Sequence, residues 1–403
     1  MPYSYQSRRQ SSGGGNSRSA YHAAPNKRRG RGPKHGDYID PARFVQAARP
    51  RTEVAYTPTH QFADFKIDQL IKRNIEFRGL VTPTPIQDQT IPLGLEGKDI
   101  VGIANTGTGK TIAFAIPVLE HLLADPRAKA LIMAPTRELA QQIMEEMRTL
   151  TKGAKLWSAL LIGGNAMGPQ LRDLRNNPRL IVGTPGRIKD HIDRRTINML
   201  HFNTVVLDEV DRMLDMGFIN DMREILQQMG TPRQSFFFSA TMNSSVNNLI
   251  GTFANNPVTV SVKTGESSDN VEQDVITYGS KEDKMAKLHD TLSSPNVTKV
   301  LVFEETQRNV ERLHRDLESR GFRAAALHGG MTQGQRRRSM NDFKTNGVTI
   351  LVATDVAARG IDVSDISHVI NYAVPGSYED YVHRIGRAGR AGRLGYALTF
   401  VEN

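Results

Sequence analysis

The chain of 403 residues is long enough for two or three domains, and its hydrophobic fraction of 38% leads us to expect that part of it does not fold. It contains no cysteine, which excludes disulfide bonds, cysteine-ligated zinc and thiol nucleophiles. We find no apolar run of the roughly 18 residues typical of a membrane-spanning helix and no signal-peptide pattern, so we expect a soluble cytoplasmic protein.

The formal net charge of +10 is concentrated at the N-terminus. Residues 1–52 contain 11 Lys and Arg side chains and two acidic ones, which gives this segment a charge of +9. Residues 1–36 are rich in Ser, Gly, Asn and Arg and poor in large apolar side chains, so we expect a disordered basic arm. Such an arm either attracts nucleic-acid phosphates or serves only as a solubilising tail.

Between the arm and residue 60 the sequence predicts a linker, residues 37–59, that contains one short helix. Asp40 followed by Pro41 fits an N-cap and a proline at the first helical position, and this pair opens a helix through Val45. That helix either docks on the folded body or forms only transiently.

From about residue 60, short apolar runs alternate with amphipathic helical stretches. The predicted strands are 100–104, 130–134, 159–162, 180–182, 204–207, 236–238, 300–303, 324–327, 349–353, 368–371 and 397–401. This alternation predicts an α/β fold of parallel sheets with helices on both faces. The polar stretch 263–270 divides it, so we expect two tandem domains, residues 60–262 and 271–403, joined by a short linker.

Residues 104–111 read Ala-Asn-Thr-Gly-Thr-Gly-Lys-Thr between a predicted strand and a predicted helix. A glycine-rich loop that enters a helix at Lys-Thr surrounds phosphate with backbone N–H groups and the positive end of the helix dipole. Lys110 is therefore predicted to hold the β- and γ-phosphates of a nucleotide, and Thr111 to bind Mg²⁺. The loop residues expected around the phosphates are Thr106, Gly107, Thr108 and Gly109.

The apolar run 204–207 ends in Asp208 and Glu209. At the carboxyl end of a strand, in the domain that holds a phosphate loop, this pair matches the Walker B arrangement. Asp208 is predicted to hold Mg²⁺ directly or through water, because Mg²⁺ uses few protein carboxylates. Glu209 is predicted to orient the water that attacks the γ-phosphate.

Residues 383–390 read His-Arg-Ile-Gly-Arg-Ala-Gly-Arg. The three-residue spacing predicts that Arg384, Arg387 and Arg390 share one helix face or helical turn. Such arginines can supply positive charge to the transition state of phosphoryl transfer, and the alternative is a solvated basic surface. If they reach a γ-phosphate on the first domain, hydrolysis requires the two domains to close.

Together these motifs resemble those of the DEAD-box ATP-dependent RNA helicases of superfamily 2. The resemblance implies two RecA-like domains, ATP and Mg²⁺ as cofactors, and RNA as the partner of a monomer that binds no membrane. Residues 79–87 resemble the Q motif, in which the Gln87 amide would read the adenine edge and Phe62 would stack on the base. Val210 stands where the family motif has Ala, and we expect a local packing change with activity retained.

The resemblance also assigns residues to RNA, to the nucleotide and to coupling. RNA-backbone contacts are implied for Pro135, Thr136, Arg137, Gly163, Gly164, Thr184, Pro185, Gly186, Arg187, Gln333, Arg336 and Thr354. Gly360 and Asp362 are implied at the ribose, and Arg387 and Arg390 at the γ-phosphate. Asp211, Ser239, Thr241 and His383 are implied to couple hydrolysis to strand separation.

We therefore expect an RNA-dependent ATPase that separates short RNA duplexes or remodels RNA–protein complexes. One alternative is an ATP-locked RNA clamp or assembly scaffold in which unwinding is incidental. The other is a DNA helicase or translocase of the wider superfamily. Trp157 and the phenylalanines at 236–238 are interpreted as core residues.

Overall fold

The structure, a computed structural model, describes residues 39–48, 56–105, 107–262, 270–358, 363, 365–389 and 393–403. Within these ranges, no helix has the length and apolar character needed to cross a lipid bilayer. The predicted basic arm and nearly all of the predicted interdomain linker lie outside the described residues.

The strands fall into two groups along the chain. They are β1 (Ile100–Ala104), β2 (Ala130–Met133), β3 (Ser158–Leu161), β4 (Leu180–Gly183), β5 (Thr204–Leu207), β6 (Gln234–Ser239), β7 (Val258–Val262), β8 (Val271–Tyr278), β9 (Val300–Phe303), β10 (Ala324–Leu327), β11 (Ile350–Ala353), β12 (His368–Asn371) and β13 (Gly395–Glu402).

Helices connect most of these strands. They are α1 (Gln69–Phe77), α2 (Pro85–Leu95), α3 (Lys110–Ala124), α4 (Arg137–Leu150), α5 (Met167–Arg175), α6 (Pro185–Asp193), α7 (Val210–Asp215), α8 (Ile219–Gln227), α9 (Ser244–Phe253), α10 (Lys281–Leu292), α11 (Gln307–Ser319), α12 (Gln333–Lys344), α13 (Asp355–Ala358) and α14 (Tyr378–Ile385). Short 3-10 turns cover Pro41–Phe44, Phe62–Asp64 and Met199–His201.

The first domain is built on a parallel seven-stranded sheet in the order β3-β4-β2-β5-β6-β1-β7. Side chains alternate between its faces, so that Ile132 joins one apolar cluster while Leu131 and Met133 join the other. Both faces are buried, which explains why these strands read as nearly continuous apolar runs.

The second domain repeats this design with six parallel strands in the order β10-β11-β9-β12-β13-β8. Leu301 of β9 belongs to the cluster on one face and Val302 to the cluster on the other. Two parallel sheets, each covered by helices, confirm the predicted α/β architecture.

The register brings the ends of several strands to one edge of the first sheet. Leu207 at the end of β5 pairs with Met133 of β2 and with Phe237 of β6, and Ile103 of β1 pairs with Ser239. The loops that follow these strands therefore start side by side, and ligands of parallel sheets bind at this edge.

The structure contains each predicted strand with bounds that differ by at most two residues. Strands β7 and β8 were not predicted. Both lie at an edge of their sheet, and half or more of their residues remain at least partly exposed. One expectation about the core is wrong: Trp157 is 64% exposed, whereas the three phenylalanines at 236–238 are fully buried.

Residues 39–48, which we call the strap, lie against the second domain although they precede the first domain in the chain. The short helix predicted after Asp40 is a single 3-10 turn, and Asp40 caps it by accepting a hydrogen bond from the N–H of Ala42 at 2.9 Å. Phe44 from this turn is 1% exposed and joins an apolar cluster of the second domain.

Candidate functional site

The phosphate loop follows β1 and ends at the first residue of α3. Gly107 and Gly109 have φ angles of 83° and 90°, which residues with a side chain rarely adopt. Lys110 is buried, and its Nζ donates a hydrogen bond of 2.9 Å to the carbonyl of Ala104. The lysine thus crosses the loop at the N-terminus of a helix, where exposed N–H groups favour an anion.

The structure also describes the neighbouring residues of the phosphate loop, with one exception. The Thr108 hydroxyl donates to the carbonyl of Asn105 at 2.9 Å, which closes the loop on itself. Thr111 is half-buried in the first turn of α3. Thr106 lies outside the described residues.

Gln87 joins α2 to the phosphate loop. Its Oε1 accepts a hydrogen bond of 2.9 Å from the N–H of Thr84, and its Nε2 donates one of 3.0 Å to the carbonyl of Gly109. The hydroxyl of Thr84 donates to the carbonyl of Thr108 at 2.8 Å. Each polar atom of the amide keeps a second hydrogen-bonding position, one N–H at Nε2 and one lone pair at Oε1, so reading an adenine edge does not require these bonds to break.

Phe62 lies in the core of the first domain, beside the Q motif. Its side chain is 3% exposed and meets Phe65 edge to face, with ring centroids 6.0 Å apart. Its backbone N–H donates to the carbonyl of Val81 at 3.1 Å, which fixes the turn against residues 79–87. Stacking of this ring on a base stays a prediction.

A buried carboxylate that the sequence analysis did not single out anchors the segment before Phe62. Asp88 of α2 accepts hydrogen bonds from the hydroxyl of Tyr56 at 2.5 Å and from the N–H groups of Thr59 and His60 at 2.8 and 3.1 Å. Burial alone would raise the pKa of Asp88, but these hydrogen bonds outweigh it and lower the pKa. The sequence signal was an acidic residue directly after Gln87.

Asp208 and Glu209 connect β5 to α7, and both are buried. Glu209 has a φ of 53°, which is uncommon for a residue other than glycine, and its N–H donates to Oδ1 of Asp208 at 3.0 Å. Burial raises the pKa of Asp208 to about 6 against the opposing charge of Lys110. Lys110 and Asp208 are therefore close enough to interact, and a bound cation would favour the ionised carboxylate.

Asp211 of α7 holds the loop that follows β6. Its Oδ2 accepts hydrogen bonds from the N–H of Ala240, the N–H of Thr241 and the hydroxyl of Thr241, at 3.0, 2.8 and 3.1 Å. The hydroxyl of Ser239 donates to the carbonyl of Thr241 at 2.7 Å. Three residues assigned to coupling thus form one network between the acidic motif and this loop.

Arg384 and Arg387 do not share a face of α14, because this helix ends at Ile385 and Gly386 caps it. Arg387 lies in the following turn, where its N–H bonds to the carbonyl of Arg384 at 3.1 Å. Arg384 is buried and donates paired hydrogen bonds of 2.6 and 2.7 Å to Asp355. Its guanidinium thus holds α14 against α13 within the second domain. Arg390, Gly360 and Asp362 lie outside the described residues.

The segment that carries Arg387 lies against the first domain. Arg212 of α7 lines a small cavity together with His383 and Arg387. Burial raises the pKa of Glu379 in α14, and the carboxylates of Asp215 and Asp211 act in the same direction. The second domain therefore meets the helix that begins directly after Asp208 and Glu209.

A groove between the domains collects eight of the twelve residues assigned to RNA. They are Pro135, Thr136, Arg137, Gly163, Thr184, Gly186 and Arg187 from the first domain and Arg336 from the second. Glu138, Met216, Phe218, Gly329 and Val356 line it as well. The first-domain members follow β2, β3 and β4, which are neighbours in the sheet.

Arg137 lies on the glycine pair at the end of β3. A Cβ on Gly164 would overlap the guanidinium of Arg137, and one on Gly163 would touch it at 3.4 Å. Burial lowers the pKa of Arg137, and the positive charges of Arg336 and Arg187 act in the same direction. The groove is therefore electropositive, with its arginines close enough to repel one another.

A buried ion pair joins the two domains at this groove. Arg336 of α12 donates from Nε to Oε1 of Glu138 at 2.8 Å, and its Nη2 lies 2.6 Å from the same oxygen. Its Nη1 donates to the carbonyl of His328 at 3.0 Å. Arg336 thus contacts the first domain while it remains bound to a loop of the second.

The other four residues assigned to RNA lie beside the groove. Gly164 lies under Arg137, and Pro185 is the buried first residue of α6. The carbonyl of Thr354 accepts from the N–H groups of Ala357 and Ala358 at 3.0 and 2.9 Å. Gln333 begins α12, and its buried Oε1 has no hydrogen-bond partner among the residues that the structure describes.

Comparisons with known proteins identify the family. Residues 84–249 match the DEAD/DEAH box helicase domain, and residues 283–392 match the helicase conserved C-terminal domain. The chain is 44% identical over 347 residues to the DEAD-box ATP-dependent RNA helicase CshA of Bacillus subtilis, across 85% of this chain and 70% of that protein. The chain belongs to the DEAD-box ATP-dependent RNA helicases.

A second relative and two solved structures extend this comparison. The helicase is 44% identical over 346 residues to the ATP-dependent RNA helicase CshA of Listeria monocytogenes, across 85% of this chain and 66% of that protein. A structure of S. cerevisiae Dbp5 bound to RNA and ADP BeF3 is similar with a TM-score of 0.74 and 28% identity, covering 85% of this chain and 89% of that one. A DEAD box protein from Methanococcus jannaschii is 38% identical with a TM-score of 0.50, covering 85% and 93%.

Two features of the helicase were missed by motif reasoning. Glu138 lies within the Pro-Thr-Arg-Glu motif, yet its partner is 198 residues away in the sequence and no local pattern connects the two. Met216 and Phe218 follow α7 and line the groove through tertiary packing alone. The structure does bring together eight of the residues assigned to RNA, although they follow three different strands or lie on α12.

Proposed function

We propose that this DEAD-box helicase hydrolyses ATP in the cleft where its two RecA-like domains meet, and that RNA holds the domains in that arrangement. The contact between α7 and the segment of Arg387 carries the proposal. Since Asp208 and Glu209 immediately precede α7, an arginine from the second domain comes close to the acidic motif of the first. The likeness to Dbp5 bound to RNA and ADP BeF3 supports this arrangement.

Both domains would contribute side chains to the nucleotide-binding site. Lys110 and the backbone of the phosphate loop would bind the β- and γ-phosphates, and Glu209 would orient the attacking water. Arg387, together with Arg390, would stabilise the negative charge that spreads over the γ-phosphoryl oxygens. An arginine in this role is worth about 10³–10⁵ in rate, so hydrolysis depends on closure.

We infer that Mg²⁺ accompanies ATP and is held by Asp208 and Thr111. Asp208 suits a metal ion, because burial raises the pKa of its carboxyl to about 6 and a nearby cation would stabilise the ionised form. When bound, Mg²⁺ would neutralise charge on the β- and γ-phosphates. One or two protein ligands suffice, because Mg²⁺ keeps several waters.

RNA would lie in the groove between the domains. Arg137, Arg187 and Arg336 suit phosphate contacts, which position a strand and carry no base sequence information, so we expect little sequence preference. The buried Oε1 of Gln333 has no partner within the described part of the chain and could accept a hydrogen bond from a ribose 2′-hydroxyl.

Both halves of the proposed site belong to one chain, so we propose a monomer. The lack of cysteine suits the reducing cytoplasm. One RNA strand bound across both domains would be bent by closure and lose its partner strand. Hydrolysis would then reopen the cleft and release the RNA.

Steady-state ATP hydrolysis tests this proposal with no nucleic acid, with single-stranded RNA and with single-stranded DNA of equal length. We expect stimulation by RNA and little by DNA. Lys110→Ala and Glu209→Gln should each lower RNA-stimulated turnover at least about a hundredfold, since each removes a group that acts on the γ-phosphate.

The outcomes separate the alternatives. Equal stimulation by DNA and RNA would favour a DNA helicase or translocase. No stimulation, combined with ATP-dependent retention of RNA, would favour the clamp. If RNA changed neither turnover nor nucleotide affinity, the closure mechanism would be wrong, because coupling between two ligands must be reciprocal.

A further inference from the structure

The strap, residues 39–48, precedes the first domain but is part of the core of the second. Ile39 is 8% exposed and Phe44 is 1% exposed, and both belong to the apolar cluster that contains Val271, Tyr381 and Ile385. Burial of a large aromatic side chain away from water is strongly favourable, so this attachment is a stable part of the fold.

Backbone hydrogen bonds fix the register of the strap. Gln46 forms an antiparallel bridge to Gln273 of β8, with N–O distances of 3.0 and 2.9 Å in the two directions. Strand β8 is the edge strand of the second sheet, so the strap satisfies backbone groups that an edge would leave open.

The side chains of the strap contact α14, the helix that leads to Arg387. The Phe44 ring lies 4.7 Å from the ring of Tyr381, and the guanidinium of Arg43 lies 3.9 Å above the ring of Tyr378. The hydroxyl of Tyr381 donates to Oε1 of Gln273 at 2.8 Å, so the strap, β8 and α14 form one packed unit.

Hydrogen bonds also hold the C-terminal end of α14 in place. Arg384 binds Asp355 through two hydrogen bonds, and the N–H of Arg387 bonds to the carbonyl of Arg384 at 3.1 Å. A shift of α14 would therefore move Arg387 as well. Phe44 and Arg43 hold one side of α14 through their contacts with Tyr381 and Tyr378.

We infer that the strap positions the arginine segment for catalysis, with Phe44 as the main positioning residue and Arg43 as a weaker one. The inference rests on the proposed role of Arg387. Without the Phe44 ring, Tyr381 loses one of its two aromatic neighbours and α14 can shift. Misplacement of a charged group by about 1 Å can cost a hundredfold in rate.

The test measures kcat and KM for RNA-stimulated ATP hydrolysis in the full chain. Phe44→Ala should lower kcat about ten- to a hundredfold while the KM values for ATP and RNA change little, since the binding groups lie elsewhere. Phe44→Leu should recover part of the loss. Val45→Ala is the matched control, because Val45 is in the same segment but is 56% exposed.

Arg43→Ala covers the case in which Phe44→Ala does not fold. Arg43 is exposed, and removing its contact with Tyr378 should leave thermal unfolding nearly unchanged. Because an exposed cation–π contact is weak, we expect kcat to fall only about two- to fivefold, less than in Phe44→Ala.

Two results would overturn the inference. One is wild-type kcat in Arg43→Ala and in folded Phe44→Ala. The other is a kcat loss in Phe44→Ala that disappears after correction for the folded fraction, because then the strap only stabilises the domain. Arg387→Ala distinguishes failure of this inference from failure of the proposed function. If Arg387→Ala retained wild-type turnover, the proposed role of Arg387 in hydrolysis would itself be wrong.

Discussion

Gly109 shows how a single residue fixes the geometry of the phosphate loop. Its φ of 90° is strained for any L side chain, and a Cβ at this position would overlap the amide of Gln87. The carbonyl of Gly109 also accepts the Gln87 hydrogen bond. A side chain here would therefore push the loop away from α2.

We expect Gly109→Ala to weaken ATP binding at least about tenfold, because the strain and the overlap both displace the loop backbone. Titration with a fluorescent ATP analogue measures the effect. Gly97→Ala is the matched control, since Gly97 has a φ of 78° but none of the described residues comes within 4 Å of the added Cβ. Equal nucleotide affinity in both variants would contradict this account of the loop.

Arg384 and Arg387 show where residue-level prediction stops. Both belong to the same repeating pattern, yet Arg384 binds Asp355 and a main-chain carbonyl in the interior of the second domain. Arg387 lies beyond the helix end and lines the cavity at the first domain. The spacing of the arginines could not distinguish them, because Gly386 ends the helix between the two.

Among the elements, β12 contains a titratable group that makes stability depend on pH. His368 is 3% exposed and stacks on Tyr396 of β13, with ring centroids 4.8 Å apart. Burial lowers the pKa of His368 from its ordinary value of 6.5 to about 4, because the charged imidazolium is disfavoured away from water.

Since the unfolded chain binds a proton on His368 below about pH 6.5 and the folded chain does not until about pH 4, this group costs stability as pH falls through that window. We expect a slope of up to about 1.4 kcal/mol per pH unit from this residue. Thermal unfolding of the wild type and His368→Phe between pH 5 and 7.5 measures it. The variant should depend less on pH, and parallel curves would refute the assignment.

The edge strands show why some elements could not be predicted. β8 alternates buried and exposed residues at its start, and its polar side chains resemble those of a loop. Its pairing with β13, and the bridge from Gln46, provide the hydrogen bonds that make it a strand. Central strands such as β9 are buried on both faces and were predicted from their apolar runs alone.

At the scale of the whole molecule, the ion pair between Glu138 and Arg336 links the two domains directly. The side chains are 10% and 8% exposed, so the pair is shielded from water. In an open arrangement the two charges would be hydrated separately. We therefore expect the pair to contribute to the closed state that we propose and to the coupling between ATP and RNA.

We expect Glu138→Gln to lower RNA affinity in the presence of a non-hydrolysable ATP analogue at least about tenfold, because the buried Arg336 loses its counter-ion. RNA affinity without nucleotide should change less. Fluorescence anisotropy with labelled single-stranded RNA measures both. Glu145→Gln, an exposed acidic residue of the same helix, controls for net charge. An equal change with and without nucleotide would mean that the pair plays no part in coupling.

The sequence by itself determined the α/β class, the positions of the central strands and the family, because these depend on local apolar runs and on motifs of a few adjacent residues. It also assigned Lys110 and Asp208 to a nucleotide site from their local motifs, and Arg336 to RNA by family resemblance. Only the tertiary structure decided that Glu138 pairs with Arg336, that Asp88 anchors residues 56–60 and that the strap packs on α14. Such contacts join residues far apart in the chain, and their partners are selected by packing of whole elements rather than by any local pattern.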